Sequence, residues 1–332
     1  MRVLMFGRGV IATIYGQAFA EAGHEVTFAV RPSRLREQGL PIAVDSVDGR
    51  RSRLGRRRQT FFTPDLVDVS APGRVHDLIV LSVGHHQLRE AVQTIAPHVG
   101  RATVLILGNV WDEPAAAAAP LPADRTLFGL PGAGGGFGGR SHLFSALFGS
   151  VTIGTSDLVP ERRQRAVRVA FEQADIRVDR EDDIRGRLWL HVSSDVGMFA
   201  QALQTNGMAG MVGDRRAFRD AFRTGREMLP VIAARGVDLE RHSRATLPLR
   251  FPGAMAAVVA PVTRHVPIAG VSLRAHTDPR SGEALAVLTD ALATARQLGV
   301  PTPRLERTVD EFGERHTPRL DDRAVTAPDT GD

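Results

Sequence analysis

Apolar positions in the first hundred residues fall into short unbroken runs separated by amphipathic stretches. Val3-Leu4-Met5-Phe6 is one such run, the pattern of a strand buried on both faces of a parallel sheet. A glycine-bearing turn follows, then a helical pattern from Val10 to Ala22, closed by Gly23 at the C′ position. Glu25 to Val30 reads as a second strand, completing a βαβ unit. Leu78 to Val83 is a further buried strand, Gln87 to Ile95 a short helix, and Thr103 to Leu107 another strand. From about Asp182 the texture changes to helical periodicity, over Ile184 to Leu203, Arg216 to Arg235, Pro252 to Val262 and Gly282 to Leu298.

This order predicts an α/β fold: an N-terminal Rossmann-type doubly wound sheet over residues 1–175, then a mainly α-helical C-terminal domain over 176–312. The polar, proline-bearing tail, 313–332, is expected to be disordered. Three segments break the pattern. Arg50 to Arg58 holds six arginines; without interleaved aromatic residues it reads as a solvated hairpin or loop rather than a polyanion contact. Ala115 to Ala119, flanked by prolines, reads as a low-complexity surface connection. Pro131 to Gly139 contains six glycines and reads as a mobile loop, either simple turn chemistry or a segment approaching a ligand.

Composition narrows the chemistry. The 332 residues carry 42 basic and 37 acidic side chains, a surplus that suits an anionic small molecule. Nucleic-acid binding would rest on the arginine run alone and is not expected. Every basic residue among the 42 is arginine, so no lysine amine is present to give and take protons near neutrality. The absence of cysteine excludes disulfides, thiolate catalysis and zinc–thiolate sites. No metal site is expected. The start lacks a charged leader and apolar core, and no apolar stretch reaches the roughly 18 residues that span a bilayer. The expectation is a soluble cytoplasmic protein with no membrane contact.

Gly7, Gly9 and Ala12 form the pattern G-x-G-x-x-A, after a buried strand and at the opening of a helix. Gly7 permits the tight turn and Gly9 lets backbone approach a pyrophosphate. Ala12 allows close helix packing, and the helix start at Val10, Ile11 and Ala12 offers N–H groups and dipole to the anion. A site for NAD usually has Asp or Glu at the end of the second strand; here Val30-Arg31-Pro32 stands there. The planar fork of Arg31 suits a 2′-phosphate, so NADP(H) is the expected cofactor. Arg8, inside the turn, is read either as a phosphate contact or as a solvent-facing side chain.

At this point the sequence resembles the ketopantoate reductase (2-dehydropantoate 2-reductase) family over nearly its whole length. The resemblance rests on Arg2 to Arg31, Asp77-Leu78-Ile79-Val80-Leu81-Ser82-Val83, Gly108-Asn109, the R-x-x-x-W of Arg185 to Trp189, and Gly299-Val300-Pro301-Thr302-Pro303. It implies that Val83, Gly84 and Asn109 lie at the cofactor and that Glu283 contacts substrate. It also implies a catalytic lysine where this chain has His191, and an asparagine where it has Asp195. The lysine that ends the family's strand is replaced by Gly84, followed by His85 and His86, one of which would line the nicotinamide pocket. Metal binding by the adjacent pair is not expected.

Two readings of His191 stand open. In one it replaces lysine as general acid, with Asp195 one helical turn away raising its pKa and holding one tautomer. In the other it is a buried or capped histidine and proton transfer is lost. The resulting expectation is an NADPH-dependent reductase of a small carbonyl or imine compound other than ketopantoate. The alternative is a catalytically silent NADP(H)-binding sensor or partner-binding protein. The helical half is compatible with a homodimer.

Overall fold

A computed structural model of the chain describes residues 1–52, 54–73, 75–139, 141–205, 207–275 and 282–316. The chain opens with β1 (Arg2–Phe6), α1 (Val10–Glu21) and β2 (Glu25–Val30), then β3 (Ile42–Asp48), β4 (Arg56–Phe62) and β5 (Asp65–Asp68). Next come β6 (Leu78–Leu81), α2 (Leu88–Ile95), β7 (Thr103–Leu107) and α3 (Pro114–Ala118). β8 (Thr126–Leu130), β9 (Ala133–Phe137), β10 (His142–Leu147) and β11 (Ser150–Gly154) precede α4 (Glu161–Gln173) and β12 (Arg177–Glu181). The helical part follows as α5 (Ile184–Gln204), α6 (Arg215–Arg226), α7 (Met228–Ala234), α8 (Ser243–Arg250) and α9 (Pro252–His265). It ends with α10 (Pro267–Ala275), α11 (Gly282–Gln297) and α12 (Pro303–His316).

Among the described residues, eight strands form one sheet in the order β12-β11-β8-β7-β6-β1-β2-β5. It is parallel throughout except where β11 meets β8. Val3, Leu4, Met5, Leu78, Ile79 and Val80 are fully buried, which is why β1 and β6 read as unbroken apolar runs. β1 lies between β2 and β6, so the chain leaves β1 on one side and returns on the other. That reversal opens a crevice at the carboxyl ends of β1 and β6, the place where such sheets bind ligands. Gly16, in the middle of α1, costs about 1 kcal/mol in helix propensity relative to alanine. A Cβ there would run into the Phe28 ring, so the glycine lets α1 lie close on β2.

A second sheet, β4-β3-β10-β9, is not legible from the sequence. Its strand β9 is the glycine-rich segment expected to be a mobile loop. The segment is extended and paired antiparallel with β10, Gly135 opposite Ser145. A side chain at Gly135 would collide with the Phe144 carbonyl and crowd Val10, so the glycines serve close approach. The arginine-rich segment forms the expected hairpin, between β3 and β4, with Arg51, Arg56 and Arg57 exposed, but Arg50 and Arg58 are drawn into ion pairs. Arg50 is mostly buried and donates to Asp48 and, at 2.9 Å, to Glu21, while Arg58 also reaches both carboxylates. Burial opposes that arginine's charge, yet the two carboxylates hold its pKa above the usual value. This partly exposed network ties the hairpin to α1.

The other departures are local. Strand β6 ends at Leu81 rather than Val83, and the alanine run forms the short helix α3. The helix expected over 216–235 breaks at Glu227, whose carboxylate accepts the N–H groups of Arg304 and Leu305 at the start of α12. The eight-stranded sheet extends through β12 to Glu181, and α10 returns to the second sheet, where Ile268 packs with Val47 and Ala146. Of the tail expected to be disordered, residues up to His316 belong to α12 and 317–332 lie outside the described residues. Among the described residues no single helix is long and apolar enough to cross a membrane.

The sheet and helical parts share one apolar core. Between the two parts, half-buried Arg235 lies 3.4 Å from the centroid of Trp189 and 4.5 Å from that of Trp111, and donates to the Trp111 carbonyl at 2.8 Å. Long helix α5 begins at Asp183, which accepts the Gly186 N–H at 3.0 Å and pairs with buried His242 at 2.8 Å.

Candidate active site

The turn after β1 is held by the Gly7 N–H, which donates to Ala29 on β2 at 2.8 Å. Gly7 has φ +81, a left-handed conformation that favours glycine. A Cβ at Gly7 or at Gly9 would meet nothing within 4 Å, so the backbone of this turn faces open space. Helix α1 starts there with Gly9 at its N-cap, no side-chain cap and no acid in its first turn. The N–H groups at Val10, Ile11 and Ala12 are therefore free of side-chain caps at the positive end of the helix dipole. An open glycine backbone against an uncapped helix start fits the pyrophosphate of a dinucleotide.

The two arginines of this region behave differently. Arg8 is not solvent-facing: its side chain is 5% exposed and pairs with Glu37 at 2.7 Å. Burial lowers its pKa, with Glu37 opposing and Arg34 adding to the effect. Arg31 is 70% exposed and makes only a 3.6 Å surface ion pair with Glu90 on α2. Such a pair contributes little, so Arg31 is free to exchange it for a better anion.

At the next strand end, Val83 and Gly84 lead into a tight turn over His85–Gln87. A Cβ on Gly84 would lie 3.0 Å from the His86 ring and 3.4 Å from Glu283 Oε2, which places that turn against the start of α11. His86 also borders Gly282. His85 turns to α11, with Nε2 2.8 Å from Asp290, while its buried Nδ1 meets no described partner.

The residues placed by resemblance converge from three elements. Asn109, just beyond β7, donates through Nδ2 to Asp195 Oδ2 on α5 at 2.9 Å and to Glu283 Oε1 on α11 at 3.2 Å. His191 Nε2 stands 3.8 Å from the same Asp195 oxygen. That separation allows charge attraction but is too long for a hydrogen bond, so Asp195 does not fix the imidazole tautomer as expected. Asn109, His191, Asp195 and Glu283 thus form one cluster, while Gly7, Gly9 and Arg31 lie at the carboxyl ends of β1 and β2. The sequence reading missed Glu37, Glu90 and Asp290 as partners of Arg8, Arg31 and His85. Only Asp290 had a signal, lying two helical turns after Glu283. Among the described residues no group of three or more His, Asp or Glu side chains is arranged to hold a metal.

Comparison with known proteins places the fold. Residues 3–157 match the family model for ketopantoate reductase PanE/ApbA. The fold of the chain is similar to that of D-mandelate dehydrogenase in its ternary structure with NADH and anilino(oxo)acetate, at TM-score 0.69 and 15% identity over 95% of this chain and 98% of that one. It is similar to 2-dehydropantoate 2-reductase from Geobacter metallireducens GS-15, at TM-score 0.69 and 16% identity over 95% of this chain and 100% of that one. It is also similar to a PanE/ApbA family ketopantoate reductase from Ralstonia eutropha JMP134, at TM-score 0.66 and 18% identity over 95% and 98% of the two chains. A search of curated proteins found no match.

Proposed function

We propose, from the match of residues 3–157 to the family model for ketopantoate reductase PanE/ApbA and the fold shared along the chain with ketopantoate reductases, an NADPH-dependent reductase of a small carbonyl or imine compound other than ketopantoate. The observation that carries this reading is the convergence of Asn109, His191, Asp195 and Glu283 beyond the carboxyl end of β7, in a sheet whose β1 ends in the open glycine turn. The D-mandelate dehydrogenase of similar fold was solved with NADH, which supports a nicotinamide cofactor. Arg31, exposed and weakly paired, favours the 2′-phosphate form.

A bound reduced nicotinamide supplies a hydride to an electrophilic carbon. The chain's residues do the rest. As the carbon–oxygen π pair moves onto oxygen, His191 delivers a proton from Nε2 to that oxygen. Asp195 stabilises the charged imidazole, and Asn109 holds both carboxylates in place by donating to each. Glu283 accepts a hydrogen bond from the substrate. Ketopantoate itself is disfavoured because no lysine stands in this cleft to protonate it.

The test is separate fluorescence titration with NADPH and NADH, followed by a panel of 2-keto acids, ketones and imines at the nicotinamide absorbance band. Tighter binding of NADPH, turnover of a panel member and loss of turnover in His191→Ala are expected. Binding of NADPH with no turnover across the panel favours the silent NADP(H)-binding protein instead. Failure of both nucleotides to bind removes the cofactor assignment altogether.

A further inference from the structure

Resting on the dinucleotide reading of the glycine turn, we propose that Glu37 sets the choice of cofactor. It holds Arg8 in an ion pair that docks the segment after β2 on the glycine turn, so that Arg31 and Arg34, and not Arg8, grip a ribose 2′-phosphate. Beyond Arg31 the chain runs through a 3₁₀ turn of 6 residues, Pro32–Glu37. The Arg34 N–H donates to the Arg31 carbonyl at 2.8 Å, the bond that starts it. The turn buries none of its residues, and Leu35 reaches the core only partly buried. Such a turn is long for a 3₁₀ segment and depends on contacts outside itself. It has two at its far end. Glu37 pairs with Arg8 Nη2 at 2.7 Å, with both side chains mostly buried, and Gln38 accepts the Leu66 N–H of β5 at 2.7 Å.

A 3₁₀ turn repeats every three residues, so residues three apart stand above one another, about 6 Å along the axis. Arg31 at the N-cap, Arg34 and Glu37 therefore follow one line. Glu37 meets Arg8 in the glycine turn. Burial lowers the Arg8 pKa, Glu37 opposes that shift and Arg34 adds to it, which places Arg34 near the same guanidinium. The line therefore faces the crevice. Its charges divide into two kinds. Arg8 and Glu37 neutralise each other away from solvent. Arg31 is exposed with a weak pair to Glu90, and Arg34 is exposed with no ion pair to a described residue. Two exposed guanidinium forks one turn apart suit a phosphate held between them. The one acid on this line is taken up by Arg8, so it is not open to accept from the 2′-hydroxyl of NADH. Without Glu37, the charge of Arg8 would stand unpaired beside Arg34 and push the turn away.

The test is the ratio of NADH to NADPH dissociation constants, titrated by fluorescence in the full chain and two variants, with melting temperature reporting the folding of each. Arg34→Ala is expected to weaken NADPH about tenfold and to leave NADH within about twofold. Glu37→Gln keeps the side-chain shape but unpairs Arg8. It should lower the preference for NADPH at least about threefold, although Arg31 and Arg34 are both still present. A merely structural role for Glu37 would weaken both nucleotides alike. That equal weakening, a preference unchanged in Glu37→Gln, or NADPH binding unmoved in Arg34→Ala overturns the inference. So does a preference raised in Glu37→Gln, which would make the freed Arg8 itself a phosphate ligand. If Glu37→Gln does not fold, the exposed Arg34→Ala still decides whether the clamp exists. A preference for NADPH that survives both substitutions removes this inference and leaves the cofactor reading standing. A parent chain that binds NADH as tightly as NADPH, or neither nucleotide, removes both.

Discussion

Gly9→Ala separates binding from folding at the glycine turn. Gly9 has φ −77 and ψ 179, an extended conformation that alanine adopts without strain. A Cβ there meets nothing within 4 Å, so the folded protein has room for it. The stability cost is confined to a poorer N-cap, under about 1 kcal/mol. On the proposed dinucleotide reading a pyrophosphate approaches the backbone through the open space above Gly9, and a methyl group standing in it would push the anion off the first N–H groups of α1. Loss of one hydrogen bond to a charged group costs about 1.5–3 kcal/mol, or roughly 10- to 100-fold in Kd. The assay pairs NADPH titration by fluorescence with thermal unfolding. Gly7→Ala provides the contrast: its φ of +81 makes alanine strained by about 1–2 kcal/mol, so that variant should lose melting temperature. If Gly9→Ala binds NADPH within twofold of the parent chain, the pyrophosphate does not lie against this turn and the cofactor argument is refuted.

Arg31→Ala should weaken NADPH about tenfold, leave NADH unchanged, and barely alter stability, because its present ion pair is a 3.6 Å surface contact; equal weakening of both nucleotides would remove the 2′-phosphate role. Arg235→Ala removes a guanidinium stacked on Trp189 and bonded to the Trp111 carbonyl, and should cost about 3 kcal/mol in urea unfolding. Both tryptophans of the chain report that transition by fluorescence, and a loss below about 1 kcal/mol would contradict the packing described. Burial raises the Asp183 pKa, but bonds from His242 and Gly186 outweigh it and leave the group below its usual value. Its contribution is therefore present above the unfolded pKa near 3.9 and lost as pH falls through the lower folded value. The melting-temperature gap between the parent chain and Asp183→Asn should accordingly be constant above about pH 5 and shrink below pH 4; a gap that widens on acidification reverses the assigned sign.

The sequence by itself determined the elements whose residues answer to local rules. Strands β1, β6 and β7 are buried on both faces, so after Arg2 and Thr103 at the starts of β1 and β7 every residue in them is apolar and the run is visible without a partner. The start of α1 was legible because the positive φ of Gly7 is a local backbone demand that favours glycine. The family resemblance added Asn109, His191, Asp195 and Glu283, which no periodicity would have singled out.

Only the tertiary structure decided what those residues face. Strand β9 was hidden because its glycines answer to the Phe144 backbone and Val10, contacts that turn composition cannot reveal. The pairing of Arg50 and Arg58 was hidden because Glu21, the acid on which both converge, lies on α1, about thirty residues earlier in the chain. His191 and Asp195 are four residues apart on one helix, yet their 3.8 Å spacing and the claim of Asn109 on Asp195 were set by β7 and α11. A chain can specify its strands by burial and its turns by backbone freedom. The charge of a cleft is a sum over side chains from distant segments, and it exists only once the fold has brought them together.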